Sequence, residues 1–278
     1  MTVWFITGAS RGFGIEIARE ALSRGDSVVA TARDPHAISA SLPGYGDRLL
    51  AVQLDVSDPE QISAAVDAAV GRFGRIDVLV NNAGRGLVGA VEESSDAEVR
   101  SVFEVNVFGL LAVTRAVLPH LRAQGSGLVV NLSSVGGFVA WPGWGVYAAT
   151  KFAVEALSEA MTHELAPLGI RSIAVEPGPF RTNFLDGSSL ALSATEIADY
   201  AATGGAARAW AVDNNYDQEG DPVKAAEVIV DLAYREDLPE RIQLGTSAFN
   251  DVAEKIARTV RDQEAWRTVS LSTDYTAD

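Results

Sequence analysis

Val3-Trp4-Phe5-Ile6-Thr7-Gly8-Ala9-Ser10-Arg11-Gly12-Phe13-Gly14 stands near the head of the chain, and its reading decides the fold. Val3–Thr7 is a short, nearly continuous apolar run, the pattern of a strand buried on both faces. Gly14–Arg24 then carries helical periodicity. Three glycines occupy the turn between them. Glycine permits a tight turn and lets the main chain approach a pyrophosphate closely. The following helix offers free N–H groups and the positive end of its dipole to such a phosphate. Taken alone, a glycine trio is equally a plain strand-to-helix turn. Its place directly after an N-terminal strand favours a dinucleotide site.

Outward from this stretch, short apolar runs alternate with helical patterns. Strands are expected at Ser27–Ala32, Leu49–Leu54, Val78–Asn81, Leu128–Leu132, Arg171–Val175 and Arg241–Leu244. Helices are expected at Pro59–Phe73 with Asp58 as N-cap, about Asp96–Gln124, Val146–Leu168 and about Pro222–Tyr234. Strands apolar on both faces and separated by helices form a parallel sheet covered on both sides. The fold class is therefore α/β, a doubly wound Rossmann fold with a seven-stranded parallel sheet. Residues 183–220 break the rhythm with Gly, Ser, Asp and Asn clusters, and so long a connection reads as a substrate lid. An amphipathic helix follows Gly245 to about Trp266, and 270–278 are polar, so 246–278 read as a helical extension and tail. Residues 1–278 together read as one Rossmann domain.

Bulk composition narrows the partners. Thirty-seven acids against 22 bases leave a formal net charge of −15. Such a surface repels phosphate backbones and anionic lipid, so neither nucleic acid nor membrane is expected as a partner. There is no cysteine, which removes thiolate nucleophiles and Cys-ligated zinc and fits a cytoplasmic protein. His36, His120 and His163 are far apart in sequence, so no metal site is expected. No basic segment leads into an apolar one after Met1-Thr2, so no signal peptide is expected. No apolar run approaches the ~20 residues that span a bilayer.

Thr7, Gly8, Gly12 and Gly14 spell T-G-x-x-x-G-x-G, and with this spacing the chain resembles the classical short-chain dehydrogenase/reductase family. Asp55-Val56, Asn81-Asn82-Ala83-Gly84 and Pro177-Gly178 with Thr182 continue the resemblance in order across residues 3–182. It implies a nicotinamide cofactor. Gly8, Ser10, Arg11, Gly12, Phe13 and Gly14 would hold its phosphates and adenosine ribose. Asp55 and Val56 would contact adenine, with Asn82, Ala83 and Gly84 beside them. Pro177, Gly178 and Thr182 would hold the carboxamide. At the end of the second strand, an acid bonds the ribose 2′-OH of NAD, whereas arginine receives the 2′-phosphate of NADP. The chain has Ala32-Arg33-Asp34 there, and Arg11 in the glycine turn is a second candidate cation. NADP(H) is the expected cofactor, with NAD(H) possible. Asp34 argues the other way, since a shift of one residue would bring its carboxylate to the ribose.

Hydride transfer to a ketone builds negative charge on oxygen, which must be protonated and stabilised. Tyrosine is a weak acid, with an ordinary pKa of about 10, until a nearby ammonium stabilises its phenolate. Tyr147 and Lys151 are four apart on one helix, close enough to interact. They match the family's Y-x-x-x-K, where Lys151 also holds the cofactor ribose and Tyr147 lies against the nicotinamide. Ser134, thirteen residues before Tyr147, matches the family's catalytic serine. Ser133 competes, but successive side chains on a strand end point apart. Asn106 resembles the family's fourth catalytic residue, acting through a water held at a local kink in its helix.

Phe138, Trp141 and Trp144 lie in a Gly-rich loop beside the chemistry, and Phe180, Phe184, Leu185 and Trp210 can close the other side. An apolar aromatic pocket suits a hydrophobic ketone or aldehyde and its alcohol. Any one of these aromatics could equally pack a core or a subunit interface. Two other readings compete. An epimerase or dehydratase on this scaffold would carry another glycine spacing and a larger C-terminal domain. A non-catalytic NAD(P)-binding sensor would have lost Tyr or Lys. A homodimer or homotetramer through the long helices would accompany catalysis.

Overall fold

The computed structural model describes residues 1–275, so 276–278 of the expected tail lie outside the described residues. Seven strands form one parallel sheet: β1 (Val3–Ile6), β2 (Ser27–Ala32), β3 (Leu49–Gln53), β4 (Val78–Asn81), β6 (Gly127–Leu132), β7 (Ile170–Pro177) and β9 (Arg241–Leu244). Their spatial order is β3-β2-β1-β4-β6-β7-β9, with every pairing parallel. The fold is the expected doubly wound Rossmann sheet. Two further strands, β5 (Gly86–Val88) and β8 (Leu190–Leu192), pair with each other outside it.

Alternate residues of each strand feed two different cores. Trp4, Ile6, Val28, Ala30 and Val130 pack on one face against α1 (Gly12–Ser23) and α8 (Pro222–Leu232). Phe5, Val29, Leu79 and Val129 pack on the other against α3 (Pro59–Phe73), α5 (Leu110–Gln124) and α6 (Gly145–Leu165). This is why the strands lack polar alternation: neither face meets water. The helix starts follow their caps. Asp58 accepts from Glu60 N and Gln61 N at α3, and Asp221 accepts from Val223 N and Lys224 N at α8. Proline at the first helical position lacks only an N–H that would have no partner there.

Three elements depart from the sequence reading. Asp34 caps an additional helix, α2 (Pro35–Ser41). The expected helix Asp96–Gln124 is α4 (Asp96–Phe103) and α5 joined by a π-helical turn over Glu104–Gly109. By length and composition that helix is apolar enough to cross a membrane, but here Val113, Val117 and Leu121 are fully buried under the sheet. The 183–220 segment is partly ordered by β8 and by α7 (Ala206–Asp213). A buried ion pair, Arg208 to Glu93 at 3.0 Å, fastens α7 to the body. After Gly245 come α9 (Thr246–Ala265) and α10 (Arg267–Leu271).

Strand order reverses between β1 and β4. In such sheets the crevice beyond the carboxyl ends at that point binds ligands. A cavity of about 1030 Å³ opens there.

Candidate active site

The glycine turn forms one wall of the cavity. Gly8 and Gly12 take positive φ, at 66° and 55°, which a side chain would strain. Gly14 is needed for another reason: a Cβ there would stand 2.4 Å from the Gly8 carbonyl oxygen. The motif after β4 braces this turn. Asn82 Nδ2 donates to the Thr7 and Gly8 carbonyls at 2.8 and 3.0 Å, and Thr7 Oγ1 accepts from Asn82 N and Ala83 N. The N-terminus of α1 begins at Gly12 with no side-chain cap. Its free N–H groups and dipole suit a phosphate. Gly8, Ser10, Arg11, Gly12, Phe13, Asn82, Ala83 and Gly84 all line the cavity, while Gly14 sits just behind it as the spacer.

At the far end of this wall, Ala32, Arg33, Asp55 and Val56 line the cavity. The Asp55 carboxyl is held below the usual carboxylate range by hydrogen bonds from Ser57, with a smaller contribution from Arg33. Asp34 is outside the lining. Its carboxylate accepts from His36 N at 3.0 Å as the α2 cap. Arg11 also lines the cavity, where its guanidinium donates to Ser188 Oγ, Ser188 O and Ser189 Oγ at 2.6, 3.1 and 2.8 Å.

The floor is built by β6, the turn after it, and α6. Ser134 caps a short turn, accepting from Gly136 N at 3.0 Å, and a Cβ on Gly136 would touch both Ser134 Oγ and the Tyr147 ring. Ser134 thus faces Tyr147. Ser133 turns the opposite way, toward Gly137 and Glu155. Burial pushes the Tyr147 phenol up to about 12, and Ser134 offsets part of that rise. Lys151 is buried beneath, donating to the Leu132 carbonyl at 2.7 Å with Nζ 5.9 Å from the Tyr147 ring centroid. Burial lowers it to about 8, opposed by the charge of Glu155. Burial is the largest influence on both groups.

Asn106 lies inside the π-helical turn, fully buried. Its amide is committed to protein partners: Oδ1 accepts from Arg85 N, and Nδ2 donates to Arg85 O and Thr150 Oγ1, at 2.9, 2.9 and 3.0 Å. Both donor hydrogens are used, which leaves one acceptor lone pair. Thr150 in turn donates to the Tyr147 carbonyl at 2.7 Å. The wider turn thus ties the Arg85 segment to α6.

An aromatic wall faces this floor. Trp144 stands edge-on to Tyr147 at 5.8 Å and to Trp210 at 6.3 Å, and Phe184 lies 5.5 Å from Tyr147. Trp141 and Leu185 also line the cavity. Phe180 borders it while stacking on Phe13 at 5.2 Å, so it serves the core and the lining together. Phe138 is not in the lining. It packs on Val135, Ala248 and Val252, with Arg241 over its ring, because the turn after Ser134 points it toward α9. Pro177, Gly178 and Thr182 close the cavity beyond β7.

A family model described as short chain dehydrogenase matches residues 2–191. The chain belongs to the short-chain dehydrogenase family. This short-chain dehydrogenase is 36% identical to oxidoreductase BOA17 of Botryotinia fuckeliana over 97% of this chain and 98% of that protein. A short-chain dehydrogenase from Streptomyces avermitilis is 43% identical, with a TM-score of 0.91 over 99% of this chain and 100% of that one. A short-chain dehydrogenase/reductase from Burkholderia phymatum, solved with NAD, is 27% identical, with a TM-score of 0.79 over 100% and 97% of the chains.

Sequence reading of this short-chain dehydrogenase missed Arg85, Ser188 and Ser189, which all line the cavity. Arg85 directly follows the Asn-Asn-Ala-Gly motif, and that adjacency was an available signal. Nothing local to Ser188 or Ser189 announces that Arg11 reaches them across 177 residues.

Proposed function

We propose that this chain is an NADP(H)-dependent oxidoreductase that interconverts a hydrophobic ketone or aldehyde and its alcohol. It would work in the cytoplasm on a small molecule and use NAD(H) less well. The observation that carries the reading is Tyr147, faced by Ser134 and backed by Lys151, where the glycine turn meets the aromatic wall in one cavity. The donor set fits a dinucleotide: free N–H groups at Gly12–Gly14 for phosphate, and Arg33 at the end of β2 for a further anion.

When bound, the nicotinamide supplies or accepts a hydride. Ser134 Oγ hydrogen-bonds the substrate oxygen and orients it. Tyr147 then gives that oxygen its proton. An alkoxide is a stronger base than a phenolate, so the transfer runs downhill even from a phenol near 12. The Lys151 ammonium stabilises the phenolate left behind and anchors the cofactor ribose. Asn106, through Thr150 and the π-helical turn, fixes the start of α6 for the proton relay. Trp141, Trp144, Phe184 and Trp210 exclude water and favour an apolar substrate. Phe108 and Phe152 expose apolar surface near the long helices, which suits contact with a second copy in a homodimer or homotetramer.

NADPH consumption across a panel of ketones and aldehydes tests the reading. Tyr147→Phe should lower turnover by about 10²–10⁴-fold or more while NADPH binding, followed by fluorescence, stays unchanged. Retained turnover in that variant refutes the assignment. Tight cofactor binding with no carbonyl turned over would favour a non-catalytic sensor.

A further inference from the structure

Behind the catalytic floor lies a polar cluster that the chemistry above does not use. Glu155 is one helical turn after Lys151, and the residue is 6% exposed. Glu176, fully buried on β7, stands beside it. Among the described residues, neither Glu155 oxygen accepts a hydrogen bond of good geometry, nor does Glu176 Oε1 or the buried Ser133 hydroxyl. The surrounding elements contribute few charges. From α6 come Lys151 and Glu159, from β7 Glu176, and from β9 Arg241 and Gln243. The end of β6 gives Ser133, and the turn Val135–Gly137 gives no charged group. Arg241 Nη1 is 3.9 Å from Glu155 Oε2, but Arg241 Nη2 binds Glu159 at 2.5 Å. Gln243 Nε2 donates to Glu176 Oε2 at 2.5 Å. Gly137 packs so tightly here that a Cβ would stand 2.6 Å from Ser133 Oγ and 2.9 Å from Glu155 Cγ.

Two buried carboxyls side by side with unpartnered oxygens are costly unless a charge or a proton satisfies them. One helical turn back on the same face is Lys151, whose own contact is the neutral Leu132 carbonyl. We propose that Glu155 is an electrostatic positioning residue for Lys151: its carboxylate keeps the buried ε-ammonium charged and seated on Leu132. This rests on the oxidoreductase reading, which requires a charged Lys151.

The titrations interlock. Burial and Glu176 raise Glu155 well above the usual carboxylate range, while burial alone pulls Lys151 down. Glu155 thus gains its charge as pH rises toward the range in which Lys151 would lose its proton. The added negative charge then opposes that loss. Lys151 stays an ammonium to higher pH than its burial would allow.

The chain has only three lysines, Lys151, Lys224 and Lys255. A pH titration of the full-length protein labelled with ¹³C and ¹⁵N lysine therefore reads Lys151 beside two internal controls. Glu155→Gln should lower the Lys151 midpoint by about one pH unit or more, with Lys224 and Lys255 unmoved. Glu155→Asp should restore most of that shift. Glu176→Gln should leave the Lys151 midpoint in place or raise it, because Glu155 then carries the charge alone. The alkaline limb of kcat/KM should move to lower pH with Glu155→Gln only. An unmoved Lys151 midpoint in folded Glu155→Gln overturns the inference, as does an equal fall in Glu155→Gln and Glu176→Gln. Should Glu155→Gln not fold, a fall in Glu176→Gln suffices to overturn it. Absence of carbonyl turnover would strike the oxidoreductase reading and leave the lysine titration unaffected.

Discussion

Arg33 and Asp34 are adjacent, yet the fold gives them unrelated tasks. Arg33 faces the cavity, and Asp34 starts a helix. The sequence alone left open which of the two reaches the ribose, because one residue of strand length reverses the answer. A usable signal was present: Asp34-Pro35 is a cap followed by an N1 proline, the signature of a helix start. The cap engages one oxygen of that carboxylate. We expect Arg33→Ala to weaken NADPH binding by about 10- to 100-fold, the loss of one or two charged hydrogen bonds. NADH binding should change little. Titrations of both cofactors by fluorescence check this, and an equal loss for the two would remove Arg33 from phosphate recognition. Asp34→Ala should cost about 1 kcal/mol of stability and leave cofactor preference alone.

Elements were legible where hydrophobic periodicity spoke and obscure where tertiary contact decided. β2, α3, β4 and β9 match the sequence reading residue for residue, since caps, glycines and apolar runs mark both ends. α2 is short, with only Ile38 fully buried, so it carries no periodic stripe. β5 and β8 are three residues each and exist because Gly86 and Leu190 meet across a hundred residues of chain. The π-helical turn adds no signal to composition. It arises where Gly109 lies against Val56, with no room for a Cβ, and where Asn106 bonds Arg85. The break in rhythm over 183–220 was legible from its length and composition, but not its attachment. Arg11 holds the Ser188-Ser189 end, and Arg208 holds the α7 end through Glu93 and the Ser193 and Thr195 carbonyls. These two clasps differ in consequence. Arg11→Ala should speed backbone hydrogen exchange across 186–192 and raise KM for the carbonyl substrate, with kcat and NADPH affinity nearly kept. A large loss of NADPH affinity instead would return Arg11 to the phosphate. Arg208→Met, which strands a buried carboxylate, should lower Tm as well.

For the whole molecule, the buried charges behind the site set a slope of stability against pH. Most shifted carboxyls, among them Asp55, Glu93, Glu98 and Asp186, are held low by hydrogen bonds and add stability once pH passes their ordinary range. Glu155 and Lys151 act against folding near neutrality. Glu155 is raised from an ordinary value of 4.5, so its folded form keeps a proton that the unfolded chain has released. The stability it contributes is complete below that ordinary value and is lost as pH rises toward neutrality. Lys151 is depressed from 10.5 to about 8. Its contribution is complete above 10.5 and is lost as pH falls through about 8. The two losses overlap between neutrality and pH 8, where both charges would be held by buried side chains. Such a cost is what keeping a charged lysine buried entails. Glu155→Gln removes one of the two. Its Tm should equal the parent's near pH 4 and exceed it by a few degrees near pH 8, with the gap opening as pH climbs. Taking the difference between the two proteins cancels the other carboxyls, which titrate alike in both. Thermal melts at several pH values measure that gap. A constant gap would mean that Glu155 titrates in its ordinary range, and that the charge behind Lys151 is held without cost.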